Sequence, residues 1–273
     1  MWRNSTRLII DMELIDNYMH STILAHLEDI ERQYDVRVLL AVESGSRARG
    51  LFSNESDWDV RFVYVNKLDW YLNVNEGRDV VEEMYDDNID LVGWELRKTL
   101  RLFQKSNPSL MEWLHSPVIY RADEDFLSRM RVMEPQYFNP IKTMYHYESL
   151  YIKHDKRYLQ DTTNPLKRFL HYLRGILSCR WLEEHKTMPP VLFEELVQAT
   201  VDDEVIRRKI GNLIALKRQS KGNDNKDVDA DLVDYAHKLA EHFEHTIPDF
   251  RPEISSAGAS ADLDALLREM VMR

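Results

Sequence analysis

Ser44-Gly45-Ser46-Arg47-Ala48-Arg49-Gly50 leads, across a short polar loop, into Ser56-Asp57-Trp58-Asp59-Val60-Arg61-Phe62-Val63-Tyr64-Val65. The second stretch reads as a strand, and residues two apart on a strand share a face. Asp57 and Asp59 thus set two carboxylates side by side, while Trp58 and Val60 turn towards a core. Two carboxylates held together repel each other unless something cationic sits between them. A divalent cation resolves this, and ligation by oxygen alone suits Mg²⁺ or Mn²⁺. Upstream, Gly45 permits close backbone approach, and its neighbouring amides with the Ser46 hydroxyl suit phosphate oxygens. Phosphate donors beside paired metal ligands point to chemistry on a nucleoside triphosphate (NTP).

A third acid extends the pattern. Asp90 lies in Asn88-Ile89-Asp90-Leu91-Val92-Gly93-Trp94, a second apolar run that follows the polar turn Asp86-Asp87-Asn88. That turn closes a hairpin with the segment containing Val80, Val81 and Met84. If the Asp90 strand pairs beside the Asp57–Asp59 strand, three carboxylates gather, enough to hold two metals.

The bulk composition bounds the alternatives. With 44% hydrophobic and 30% charged residues over 273 positions, the chain buries a substantial core in one large or two modest domains. No apolar run approaches the roughly 20 residues of a membrane span, and the N-terminus lacks the pattern of a signal peptide. The lone Cys179 excludes an internal disulfide and fits a reducing, cytoplasmic setting. A net charge of −11 suits a small substrate or a nucleic-acid end better than the coating of a duplex.

Along the chain, Glu13 to Tyr34 carries one apolar helical face and Val36 to Val42 is a compact strand. Helices are expected at Glu95–Lys105, Pro108–His115 and Asp123–Val132, with an extended Pro117–Tyr120 between the last two. Beyond Pro140 the pattern is helical throughout: Lys142–Gln160, Pro165–Glu184 capped by Asn164, Leu192–Thr200, Asp202–Arg218, a helix marked by Leu232 to Phe243, and a short one over Leu263–Met272. The expectation is an α+β fold, with a mixed sheet flanked by helices over 1–135 and an all-helical domain over 136–273.

Gly45-Ser46, ten residues, Asp57-Trp58-Asp59 and a later Asp90 resemble the signature of the polymerase-β-type nucleotidyltransferase superfamily. The wider text, including Lys167-Arg168-Phe169-Leu170-His171-Tyr172-Leu173-Arg174, resembles the bacterial and phage predicted nucleotidyltransferases associated with RNA-repair ligases. The resemblance implies transfer of a nucleoside monophosphate from an NTP to an acceptor hydroxyl, with an RNA end as an acceptor. It also implies that Asp57 and Asp59 bind both metals, that Asp90 binds the catalytic metal and helps activate the acceptor, and that Gly45 and Ser46 meet the β- and γ-phosphates. A helical domain that closes the cleft and supplies cations is part of the same expectation.

Arg47 and Arg49 flank the turn and are candidate triphosphate contacts, although exposed arginines are common. Lys167 and Arg174 lie two helical turns apart on one face and are candidates for the same role, against a plain solvated stripe. Lys153 is a weaker candidate. Arg61 shares the face of Asp57 and Asp59, so a structural ion pair competes with substrate contact. The Tyr145-His146-Tyr147 cluster reads as core or interface before base stacking. No histidine–cysteine spacing fits zinc, and no Gly-x-x-x-x-Gly-Lys-Ser/Thr occurs. The competing readings are a non-enzymatic nucleotide sensor or partner-binding module, and transfer to a small molecule or a protein.

Overall fold

The computed structural model describes residues 17–53, 55–85, 88–160, 165–219, 228–253 and 260–273, with backbone alone for 155–160. Leu14, Ile15, the Asp86-Asp87 turn, the Asn164 cap and the polar loop at Ser220–Asn225 lie outside these residues. The order is α1 (Asn17–Tyr34), β1 (Val36–Glu43), β2 (Trp58–Asn66), α2 (Leu68–Tyr71), β3 (Val80–Tyr85), β4 (Ile89–Glu95), α3 (Leu96–Gln104), α4 (Pro108–Leu114), β5 (Ile119–Ala122) and α5 (Glu124–Tyr137). There follow α6 (Pro140–Gln160), α7 (Pro165–His185), α8 (Phe193–Thr200), α9 (Glu204–Gln219), α10 (Ala230–Thr246), a 3₁₀ turn at Ile247–Asp249 and α11 (Ser260–Met272).

Two compact units divide the chain. One holds the described residues up to Ala48, Asp57–Tyr137 and the last helix; the other holds Arg49–Ser56 and the residues from Phe138 up to the last helix.

The first unit is built on a five-stranded sheet in the order β3-β4-β2-β1-β5. β2 pairs antiparallel with β1 and parallel with β4, and β3 and β4 form the expected antiparallel hairpin. Its turn is reached through Asn88 in the left-handed region at φ 58°, a conformation that asparagine tolerates. β1 and β2 supply Leu39 to Val42, Val60, Phe62 and Val63, all at 1% exposure or less, so the sheet centre is dry. Ile23, Leu27 and Ile30 of α1 are buried at helical spacing. Asn107 caps α4 through its side chain to the Leu110 N–H, with Pro108 at the first turn, where its missing N–H costs nothing. α11 joins this unit: Arg37 donates to the Met270 carbonyl at 2.8 Å, and Arg129 pairs with Glu269.

The second unit is helical. α6 and α7 form its centre, with Tyr147 and Tyr151 of α6 and Phe169, Tyr172, Leu173 and Ile176 of α7 all buried. Gly175 lets α6 approach α7, since a Cβ there would stand 2.9 Å from the Tyr151 Cβ and 3.1 Å from its backbone N. Among the described residues no helix is long and apolar enough to cross a membrane.

Candidate active site

β1 ends on Glu43, and the chain leaves it into the turn that carries Gly45 and Ser46. The Ser44 N–H donates to the Asp59 carbonyl at 2.9 Å, so the start of the turn is stitched to β2. A Cβ at Gly45 would lie 1.6 Å from Asp59 Oδ2, which makes this glycine a requirement of the Asp59 carboxylate's position. Glycine and acid, fourteen positions apart, are thereby one structure.

Beneath them Glu43 is fully buried. Its Oε1 accepts the Asp59 N–H at 2.9 Å and its Oε2 accepts the Tyr120 hydroxyl at 2.5 Å. Its own carbonyl accepts from Ser116 Oγ at 2.6 Å. Burial pushes the Glu43 carboxyl up to about 7, and the hydrogen bonds from Tyr120 and Asp59 offset only part of that cost. Glu43 holds Asp59 from behind, whereas the strand expected from the sequence stops at Val42 and gives Glu43 no role.

The parallel pairing of β2 with β4 sets Asp59 in register with Asp90. Their side chains are 32% and 30% exposed, enough to meet a ligand. Arg61, two residues along the same face of β2, spans them: its Nη2 is 2.9 Å from Asp90 Oδ2 and 3.4 Å from Asp59 Oδ1. Its Nη1 also donates to the Asp90 carbonyl at 3.0 Å. Asp57 sits one residue ahead of the strand with its side chain exposed, and its carbonyl accepts from Arg47 Nε at 3.3 Å. Among the described residues no three acids, histidines or cysteines come together as a metal-binding group. The donors nevertheless suit a hard divalent cation in kind. Two partly exposed carboxylates stand on adjacent strands, and the guanidinium drawn onto them shows the positive charge that the pair demands.

Arg47 is buried with its guanidinium 3.7 Å above the Trp58 ring, where it ties the turn to β2. The other expected phosphate contacts, Arg49, Lys167 and Arg174, lie in the helical unit. There the Arg49 carbonyl accepts from the Phe193 N–H at 3.0 Å, and Arg218 donates to the Gly50 carbonyl at 3.2 Å. Arg174 is buried with its guanidinium 5.5 Å from the Tyr147 ring centre, and Lys167 is exposed. Arg49, Arg174 and Lys167 all act on the His171 imidazole, so the three cations share one neighbourhood. Lys153 is exposed on α6, and Tyr147 is core.

The model of a family described as RNA repair pathway DNA polymerase beta family (RlaP) matches residues 19–269. The chain belongs to this family. The RlaP match takes in every one of the candidate residues above. An uncharacterized Bacillus subtilis protein, YcgL, is 40% identical over 223 residues, covering 82% of this chain and 84% of its own. A nucleotidyltransferase-like protein from Exiguobacterium sibiricum gives a loose structural likeness, at 14% identity and a TM-score of 0.33, covering 89% of this chain and 78% of that one.

Proposed function

We propose that the chain transfers a nucleoside monophosphate from an NTP to an acceptor hydroxyl and releases pyrophosphate. The observation that carries this reading is the register of Asp59 with Asp90, with the Gly45 turn packed against the Asp59 carboxylate. Asp59 and Asp90, with Asp57, would hold divalent Mg²⁺ or Mn²⁺. When bound, the metal neutralises the phosphates and favours attack at the α-phosphorus.

The chain's own residues do the rest. Backbone N–H groups at Gly45 and Ser46 and the Ser46 hydroxyl meet the β- and γ-phosphates, with Arg47 bracing the turn from below. Asp90 orients the acceptor hydroxyl and draws its proton as the new P–O bond forms and the α–β bridge breaks. Glu43 keeps Asp59 aimed at the turn through the Asp59 N–H. Arg61, which spans Asp59 and Asp90, would yield these carboxylates to a bound cation. Arg49, Lys167 and Arg174 add positive charge for phosphate. An RNA end is the acceptor favoured by the family's RNA-repair description.

One observation favours a rival. If Arg61 stays across Asp59 and Asp90, it fills the metal's place and leaves a nucleotide sensor without turnover. Incubation with each α-labelled NTP, Mg²⁺ or Mn²⁺, and a panel of RNA ends, the protein itself and small-molecule extract separates the two. Metal-dependent label transfer with pyrophosphate release supports the transferase. NTP binding without transfer to any acceptor supports the sensor.

A further inference from the structure

The sheet face that bears Asp59 and Asp90 carries a row across three strands. The Gly45 turn packs against Asp59 of β2, Asp59 is in register with Asp90 of β4, and Asp90 is in register with Met84 of β3. Neighbouring strands lie about 4.8 Å apart, so the row runs roughly 10 Å from Asp59 to Met84. Opposed residues on adjacent strands have Cβ atoms about 5 Å apart, which puts Met84 against Asp90. Met84 is 75% exposed on an edge strand, where a large apolar side chain is normally avoided. Its chain neighbours turn the other way, onto α1: Glu83 accepts from the Tyr34 hydroxyl, and Tyr85 stacks on His26 with ring centroids 3.7 Å apart. Diagonal to Met84 on the same face is Val92, half-buried, within reach of a long side chain. Glu82, opposite Val92, is tied to Arg78 at 3.0 Å.

We propose that Met84, with Val92 beside it, is the platform on which the nucleobase of an RNA end rests while its sugar hydroxyl is presented to Asp90. This rests on the transferase reading above and adds where the acceptor lies and what recognises it. In-line transfer brings the attacking oxygen in on the side opposite the departing pyrophosphate. The phosphates belong to the Gly45 turn, at the Asp59 end of the row. The acceptor therefore enters from the other end, over Asp90 and onto Met84.

The chemistry of the platform selects among acceptors. A nucleobase offers a flat face, and a flexible thioether meets it through dispersion and sulfur–ring contact. Such contact is tolerant of sequence, because every base has a π-face. A polycationic small molecule is drawn to the carboxylates and gains nothing from Met84. A serine or threonine hydroxyl brings no apolar face large enough to cover the exposed side chain. Of the acceptor classes open to the fold, an RNA end alone uses both the carboxylate and the apolar neighbour in register with it.

Carbon-13 labelling of the methionine methyl groups tests this without turnover. The Met84 signal, identified by its absence in Met84→Leu, is followed while the full chain is titrated with a short single-stranded oligoribonucleotide bearing a free 3′ hydroxyl. The expected result is an upfield ring-current shift with the intact terminal nucleotide and none with the same strand ended by an abasic nucleotide. No shift with any RNA end, or an equal shift with the abasic end, overturns the proposal. A shift with a polycationic aminoglycoside or a serine peptide, but with no RNA, overturns it too. In the α-labelled NTP assay, Met84→Gln should raise the KM for the RNA end about threefold to tenfold, with the KM for the NTP unmoved. Met84→Leu, which keeps an apolar face, should lose little. An acceptor KM unchanged in Met84→Gln counts against the platform in the same way. If wild type transfers nothing while the base-dependent methyl shift is present, the transferase reading fails and the RNA-end site stands.

Discussion

Gly45→Ala isolates the contact between the turn and the catalytic strand. The new methyl carbon would stand 1.6 Å from Asp59 Oδ2, 2.5 Å from its Cγ and 2.8 Å from its Cβ. The carboxylate must retreat by roughly 2 Å to reach ordinary van der Waals distance. Rotation of the Asp59 side chain relieves the first two contacts but not the third, so β2 or the turn must also shift. Gly45 lies outside the left-handed region, and alanine therefore brings no backbone strain of its own. Overpacking of this kind costs about 1–3 kcal/mol. Urea unfolding of Gly45→Ala, Asp59→Gly and the double variant forms a cycle in which the clash is the only shared term. The expected coupling is about 1–2 kcal/mol, with Gly45→Ala nearly neutral once the Asp59 side chain is gone. Equal destabilisation in both backgrounds would refute the packing of this turn against Asp59.

Glu43 gives a prediction in pH. Its carboxyl titrates near 7 in the folded chain and near 4.5 when unfolded, so the folded chain holds the extra proton between those values. Its contribution to stability is fully present below pH 4.5 and falls by about 3 kcal/mol as pH rises to 7. In metal-free protein, Glu43→Gln should remove that slope from urea-unfolding curves, and an unchanged slope would discharge Glu43 from this role. Arg61→Gln removes the cation spanning Asp59 and Asp90. It should lower the stability of metal-free protein by about 1 kcal/mol while tightening Mn²⁺ binding in calorimetric titration, whereas weaker Mn²⁺ binding would argue that Arg61 supports the metal. Cys179 is fully buried, and burial pushes its thiol up. It should resist thiol reagents in the native state and react at once in urea, and rapid native labelling would contradict the α6–α7 packing.

Local chemistry in this fold was legible because the pattern is strong. The alternation that buries Trp58 and Val60, the hairpin before Asp90 and Pro108 at the start of α4 each follow from residue type and spacing. Long-range pairing is different. Parallel β2 and β4 are linked by a short helix and a third strand, and no local pattern states which residue of one opposes which of the other. The sequence reading therefore left the meeting of Asp59 with Asp90 conditional. It also set Asp57 beside Asp59 on strand periodicity, and Asp57 immediately precedes Trp58, the first residue of β2. Glu43 was hidden because its partners, the Asp59 N–H and Tyr120, come from residues 16 and 77 positions away. The same holds for α11. Its amphipathic pattern says that it packs, but not that Arg37 and Arg129 receive it.

The most direct measurement compares wild type with folded Asp59→Asn and Asp90→Asn in the α-labelled NTP assay. The expected result is metal-dependent label transfer by wild type alone, with both variants reduced at least 100-fold, since each loses one of the two carboxylates set in register. Undiminished transfer by either variant, or no transfer by wild type with NTP binding intact, would contradict the assignment of Asp59 and Asp90 as the centre of a nucleotidyltransferase.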